Sequence, residues 1–310
     1  VLSNLLGNVK VTNKLFTLND SKIIKITSEN VKLEEVNDIF SKYDGKKFKK
    51  IIVKAFSLQP NLNGYGIIAK ERKEDLKNGL SKIKLLTGVS EVKFVVDGKD
   101  KGLQKELSSI SEVIKVKSID DLYNNKLIYK VFGKEQSEDE VLIEDLIELI
   151  QLGQADKNIP REILVTVYGS AINGNKVVSL NLGTTYRELF TLLNGTDINL
   201  NKVIDGGSLN GTPIYNLDKE IEMSSKGILY LTENNSKREE NFSCIRCAKC
   251  LRACPEGLNP IKLMELYRIN EKDEFIKFGG EKCIDCGLCS FVCPSNIDIA
   301  QSIKTAKTFK

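Results

Sequence analysis

"CIRCAKCLRACPEG", residues 244–257, places four cysteines close together and follows the last with a proline. "CIDCGLCSFVCPS", residues 283–295, repeats the arrangement. The two runs use all eight cysteines of a 310-residue chain that has no histidine. Both read C-x2-C-x2-C-x3-C-P: Cys244, Cys247, Cys250 and Cys254 before Pro255, then Cys283, Cys286, Cys289 and Cys293 before Pro294. Three thiols two residues apart form a tight loop that can wrap three corners of an iron–sulfur cube. The fourth, set off by three residues and a proline, is carried away from that loop to a neighbouring cube. The spacing therefore predicts one [4Fe-4S] cluster on Cys244, Cys247, Cys250 and Cys293, and another on Cys283, Cys286, Cys289 and Cys254. Ala248, Ala253, Gly257 and Gly287 are small enough to let backbone N–H groups approach the sulfides.

Other uses of these cysteines fit less well. Disulfides need an oxidising compartment, and the opening "VLSNLLGNVK" lacks a signal-peptide layout. It also lacks an initiating methionine, as in a processed or trimmed chain. Zinc is usually held by C-x2-C pairs rather than triplets with an outlying fourth. Without histidine there is no Ser-His-Asp triad, no His-ligated zinc or haem and no Rieske centre. No apolar run approaches a membrane span. A net charge of +4 is small for this length and suggests no nucleic-acid partner. The densest basic run, "KKFKK" at 46–50, reads as the solvated start of a strand.

The rest of the chain divides into segments. Strands at 22–28, 49–57, 90–98 and 111–118 alternate with helices at 33–43, 66–88 and just after 100. That alternation predicts a parallel sheet with crossover helices. Residues 138–155 read as a further helix with Leu142, Leu146, Leu149 and Ile150 in one stripe and Glu144, Asp145 and Glu148 facing out. From 160 to 235 the order is strand, hairpin, helix and short strands with Gly206-Gly207 and Asn210-Gly211 turns, which is a β-grasp order. Between the cysteine motifs, Ile261, Leu263, Met264, Leu266 and Tyr267 keep a helical period. Asn259 stands as cap and Pro260 at the first helical position. A second helix follows Pro294, so the cluster domain is expected to be helical.

Gly64-Tyr65-Gly66-Ile67-Ile68-Ala69 fits G-x-G-x-x-A between a strand and a helix, with Asp97 at the end of the next strand. The first glycine lies far beyond the strand tip, however, and "NLNGYG" reads more simply as a turn before a helix.

The order of segments resembles the RnfC component of the ion-pumping ferredoxin–NAD oxidoreductases and the related RnfC-like protein of proline reductase systems. The flavin subunit of respiratory complex I is a more distant relative. "VIDGGSLNGTPIYNLDKEIEMSSKGILYLTE" looks like the family's GGPMMG segment and the strands after it. "REILVTVYGSAIN" resembles the start of its soluble-ligand-binding β-grasp (SLBB) domain, and "CLRACPEGLNPIKLMELYR" its first cluster motif. The family's flavin loop, G-x-G-G-x-G-F-P, has no counterpart, since residues 30–48 contain only Gly45. Its acidic E-x-E-P segment is replaced by "SLQP" at 57–60. A flavin phosphate needs a nest of backbone N–H groups, so FMN and NADH are not expected.

The resulting expectation is a multidomain α/β protein. Residues 1–135 form an α/β domain like the complex I flavin subunit, 136–159 a connecting helix and 160–235 an SLBB-like β-grasp domain. Residues 236–310 form an α-helical ferredoxin domain with two [4Fe-4S] clusters. Such a chain passes single electrons between redox proteins: ferredoxin, flavodoxin or other subunits of a complex. It has no substrate site of its own and sits in the cytoplasm or at the cytoplasmic face of a membrane complex. The alternatives are a flavin- and NADH-dependent subunit and a docking scaffold of a redox complex.

Overall fold

The computed structural model describes residues 22–26, 43, 45–57, 59, 62–116, 124–133, 138–155, 162–195, 200–233 and 240–308. Apart from Tyr43, the helix expected over 33–43 lies outside them. Strand β1 (Ile24–Ile26) does not join the strands that follow it. These are β2 (Lys50–Lys54), β3 (Glu91–Asp97), β4 (Glu112–Val116) and β5 (Val141–Asp145), all parallel, in the order β4-β3-β2-β5. Their apolar runs are nearly continuous because helices cover both faces. Ile51, Val53, Phe94 and Val96 face one core; the intervening Ile52 and Val95 face another.

The first core lies under α1 (Tyr65–Glu71), α2 (Lys73–Thr87) and α3 (Lys101–Ser108). On the opposite face α4 (Asn124–Phe132) contributes Leu127, Ile128 and Val131. The helix expected over 66–88 is divided at Arg72, whose backbone leaves the helical region at φ −116 and ψ 32. Lys49 and Lys50 of the basic run pair with Glu140 and Glu91.

Residues 138–155 are not one helix. After a short 3-10 turn, Val141–Asp145 is the edge strand beside β2, and only then does α5 (Leu146–Gln154) begin. Glu144 and Asp145, expected to face out, are each 6% exposed. Val-Leu-Ile suits a strand, and the Asp145 carboxylate accepts from Ile147 N at 2.9 Å, which ends the strand and starts the helix.

The second sheet contains β6 (Ile163–Tyr168), β7 (Lys176–Leu180), β8 (Lys202–Asp205), β9 (Thr212–Ile214) and β10 (Gly227–Leu231). With β1 its order is β1-β7-β6-β10-β8-β9. β6 and β7 form a hairpin, α6 (Tyr186–Leu192) follows, and β10 returns parallel to β6. A Thr185–Glu188 capping box starts α6. β1, expected in the first sheet, instead covers the edge of β7, Ile24 opposite Val178. Its exposed Lys25 between more buried isoleucines fits a sheet with one wet face better than one covered on both.

The two sheets share a core, since Leu164 and Val177 pack with the first unit. Polar ties reinforce the junction. Arg72 Nε and Nη2 donate to Glu162 at 2.7 and 3.1 Å. Lys226 Nζ lies 3.2 Å from Asp145 and 2.8 Å from Glu148.

Residues 240–308 are helical, as expected. They form α7 (Lys249–Ala253), α8 (Pro260–Arg268), α9 (Lys272–Lys277), α10 (Leu288–Phe291) and α11 (Ile299–Ala306) around Leu263, Met264, Leu266, Phe275, Ile299 and Ile303. Among the described residues no helix is long and apolar enough to cross a membrane.

Candidate metal centre

Each cysteine motif folds as a loop running into a short helix. Arg246 (φ 55) and Ala248 (φ 58) are left-handed in the first; Asp285 (φ 54) and Gly287 (φ 79) hold the same two places in the second. Ala248 and Gly287 each lead directly into a right-handed helix, and such a left-to-right step turns successive N–H groups to one side, a concavity suited to an anionic cluster. Cys250 then lies on α7 and Cys289 on α10. Past the prolines, Gly257 (φ 65) and Asn296 (φ 53) again match. There α8 is capped by Asn259, which accepts from Lys262 N at 3.2 Å, and α11 starts at Asp298. Asn241 and Phe242 tie the approach to the first motif onto the second repeat, through Asp298 and Ser295 O.

The folded chain brings the cysteines together in two groups. Cys254, Cys283, Cys286 and Cys289 line one cavity; Cys244, Cys247, Cys250 and Cys293 line the other. Each triplet is thus joined by the outlying cysteine of the opposite motif. Cys244 is exposed and Cys289 buried. Burial pushes the Cys283 thiol up to about 11. Burial raises Cys289 further, with Cys286, Cys283 and Cys254 adding repulsion between would-be thiolates. Cys250 is raised by burial, then by Cys293 and Cys244. Thiols crowded this way ionise together only when cations bind among them. Among the described residues, no three Cys, Asp or Glu groups converge on a position for a single metal ion. The two sets of four thiols and the concave loops fit a [4Fe-4S] cube at each cavity.

The second cavity is held against the sheets. A Cβ on Gly287 would lie 2.2 Å from the carbonyl oxygen of Leu209, in the β8–β9 loop. That loop is in turn held by Gln59, beyond β2, whose Oε1 accepts from Leu209 N at 2.9 Å. Sequence reasoning missed this contact, and it grouped Glu256 with the first motif, whereas the residue lines the second cavity. Lys307 was missed as well; its ammonium reaches Cys283 O and, at 3.0 Å, Asp285 Oδ2.

The first glycine of the G-x-G-x-x-A run is a packing position. Gly64 has ordinary right-handed φ and ψ, and a Cβ there would meet Thr166 Oγ1 at 2.5 Å and Val177 Cγ2 at 2.8 Å. This glycine lets α1 lie against the second sheet. Asp97 accepts from Lys99 N at 2.9 Å within its own turn. At the carboxyl end of β5, where an open parallel sheet takes ligands, Tyr65 Oη donates to Asp145 at 2.8 Å beside Lys226. Burial, with Asp145 beside it, pushes that phenol well above its usual range.

Comparison with known proteins agrees with the site. Residues 243–297 match the family described as 4Fe-4S dicluster domain. Over 100 residues the chain is 39% identical to the C component of the proton-translocating ferredoxin:NAD(+) oxidoreductase complex of Clostridium ljungdahlii, covering 32% of this chain and 22% of that protein. It is 35% identical over 146 residues to the C component of the ion-translocating oxidoreductase complex of Yersinia enterocolitica, covering 46% and 21%. The corresponding Rhodobacter capsulatus protein is 27% identical over 143 residues, covering 46% and 28%. The matched stretches span 21–28% of these curated relatives. A chain of the NAD+-reducing [NiFe]-hydrogenase in the H2-reduced state shares the fold at TM-score 0.51 and 9% identity, over 84% of this chain and 54% of that one. Two four-cysteine cavities, a dicluster domain match and these alignments make the chain RnfC-like, similar to the C component of the ion-translocating oxidoreductase complexes.

Proposed function

We propose that this chain is the electron-transfer subunit of a redox complex and passes single electrons between partner proteins through two [4Fe-4S] clusters. The observation that carries the reading is the sorting of all eight cysteines into two cavities, each with one ligand exchanged between motifs. When bound, each cube takes up or releases one electron. The chain's own part is to hold two cubes side by side, exclude water from the second and aim N–H groups at them. Cys244, Cys247, Cys250 and Cys293 would hold one, and Cys283, Cys286, Cys289 and Cys254 the other.

The remaining units position these centres. The strand order of the second sheet, a hairpin, a helix and a last strand returning beside the first, supports an SLBB-like β-grasp unit. The first sheet would then be a complex I flavin-subunit-like scaffold without its cofactor. Three features favour that reading: the packing of Gly64, the Tyr65–Asp145–Lys226 cluster and the lack of a glycine loop. The partners would be ferredoxin, flavodoxin or neighbouring subunits, in the cytoplasm or at the cytoplasmic face of a membrane complex. Anaerobic reconstitution tests the proposal: about eight iron atoms and eight sulfides per chain are expected. Electron paramagnetic resonance of the reduced protein should show two interacting centres. About one zinc per chain, or half the iron, would overturn it.

A further inference from the structure

The two motifs repeat in sequence but not in surroundings. Arg246 and Asp285 occupy the same position of the two loops, both at positive φ, and carry opposite charge. The cavity of Cys244, Cys247, Cys250 and Cys293 is lined by Arg246 and Lys249 against Glu265. The cavity of Cys283, Cys286, Cys289 and Cys254 is lined by Glu256 and Asp285 and by no basic residue. Asp285 Oδ1 lies 3.6 Å from Cys283 Sγ. Lys307 offsets part of this charge from 3.0 Å; at the matching place in the first repeat stands Arg268, exposed. Burial follows the same division. Cys244 is exposed among Phe242 (60%) and Ile245 (67%), whereas Cys289 is 8% exposed and the loop before it abuts Leu209.

Reduction adds one negative charge to a cube already surrounded by four thiolates. Carboxylates and burial oppose that charge; cations and solvent favour it. We propose that these side chains hold the two sites at unequal potentials, with the site of Cys244, Cys247, Cys250 and Cys293 the higher. The inference rests on the reading that each cavity holds a cube. An electron delivered to the second site by a one-electron reductant on the side of the sheets comes to rest at the first. There it is available to an oxidised one-electron carrier protein with an acidic face. The second site is oxidised as the first is reduced; no cysteine bond breaks and no proton moves. Arg246, Lys249, Glu256 and Asp285 thus give the pair a polarity that points outward.

The test uses anaerobic holoprotein poised at a series of potentials and read by electron paramagnetic resonance. Two potentials are expected. In protein carrying one electron, one site should be favoured at least tenfold, a gap of about 59 mV or more. Arg246→Gln should lower only the higher potential. Asp285→Asn should raise only the lower, and asparagine tolerates the φ of 54 at this position. If Arg246→Gln fails to load iron, Lys249→Gln serves as the same arm. Equal potentials, or either variant shifting the opposite site, would overturn the assignment. An iron content far from about eight per chain would instead overturn the two-cube reading beneath it.

Discussion

Replacing Gly287 by alanine probes the seam between the second cavity and the sheets. Gly287 has φ +79, and its added methyl would lie 2.2 Å from Leu209 O and 2.8 Å from Leu209 C. An alanine in the left-handed region costs roughly 1–2 kcal/mol. Carbon–carbonyl contacts sit at about 3.3 Å or more, so loop and seam must part by about 1 Å, an overpacking effect of roughly 1–3 kcal/mol. Together the loop should open more easily by about 2–5 kcal/mol. At about 1.4 kcal/mol per decade, iron should leave the second site roughly 30-fold faster or more. The repeat supplies the control: Ala248 already occupies the matching position at φ 58, so the strain alone is tolerated. Ala248→Gly should therefore retain iron at least as well as wild type. The assay is the rate at which a chelator bleaches the visible absorbance of anaerobically reconstituted protein. Bleaching of Gly287→Ala at the wild-type rate would refute the reasoning, as would equal damage from Ala248→Gly.

Cys254→Ser should damage the centre of Cys283, Cys286 and Cys289, and Cys293→Ser that of the first triplet; resonance spectra showing loss confined to each mutated motif's own triplet would disprove the exchange. Purified protein should bind neither FMN stoichiometrically nor NADH at micromolar concentration, which calorimetry decides. Arg252 is exposed on α7 and donates to Cys247 O at 3.2 Å; Arg246→Glu with Arg252→Glu should slow electron exchange with an acidic carrier, most at low salt, and unchanged rates at low ionic strength would place docking elsewhere. Burial alone would raise the Glu162 carboxyl, but hydrogen bonds from Arg72, Ser179 and Gln154 outweigh it and hold it below its ordinary value. The stability it supplies is complete above the unfolded carboxylate pKa of about 4.3 and is lost as pH falls through the lower folded value. Glu162→Gln should cost about 2 kcal/mol at neutral pH, less than a fully buried pair would, because the Arg72 side chain is 23% exposed. Urea unfolding by circular dichroism should show that deficit shrinking in acid; a deficit as large near pH 3 as at pH 7 would contradict the assignment.

The cysteine spacing was readable because covalent geometry links ligand separation to loop shape, and the helical period between the motifs identified the fold of that unit. The alternation of strands and helices around Ile51–Val53 and Phe94–Val96 was equally open to reading, since both faces of a parallel sheet must be apolar. Val141–Asp145 was misread because an apolar run of that length suits a strand or a helix, and a cap formed by Asp145 is visible only once Ile147 is placed. Ile24–Ile26 was assigned to the wrong sheet because pairing with Val178 depends on residues far along the chain. The Leu209–Gly287 seam and the place of Glu256 are tertiary facts of the same kind. Neither leaves a periodic trace.

The strand order of the six-stranded sheet also fixes a timetable for folding during synthesis. Its interior strand, Gly227–Leu231, lies between β6 and β8 yet is the last of the sheet's strands to leave the ribosome. Until it arrives, the β6–β7 hairpin and the β8–β9 pair have no common partner, and the first sheet has already been completed by Val141–Asp145. Units of a growing chain fold in turn from the N-terminus, and distant pairings come late. The first cysteine motif emerges only after that closing strand, so every strand of the platform for Gly287 has been made before the first cluster ligand appears.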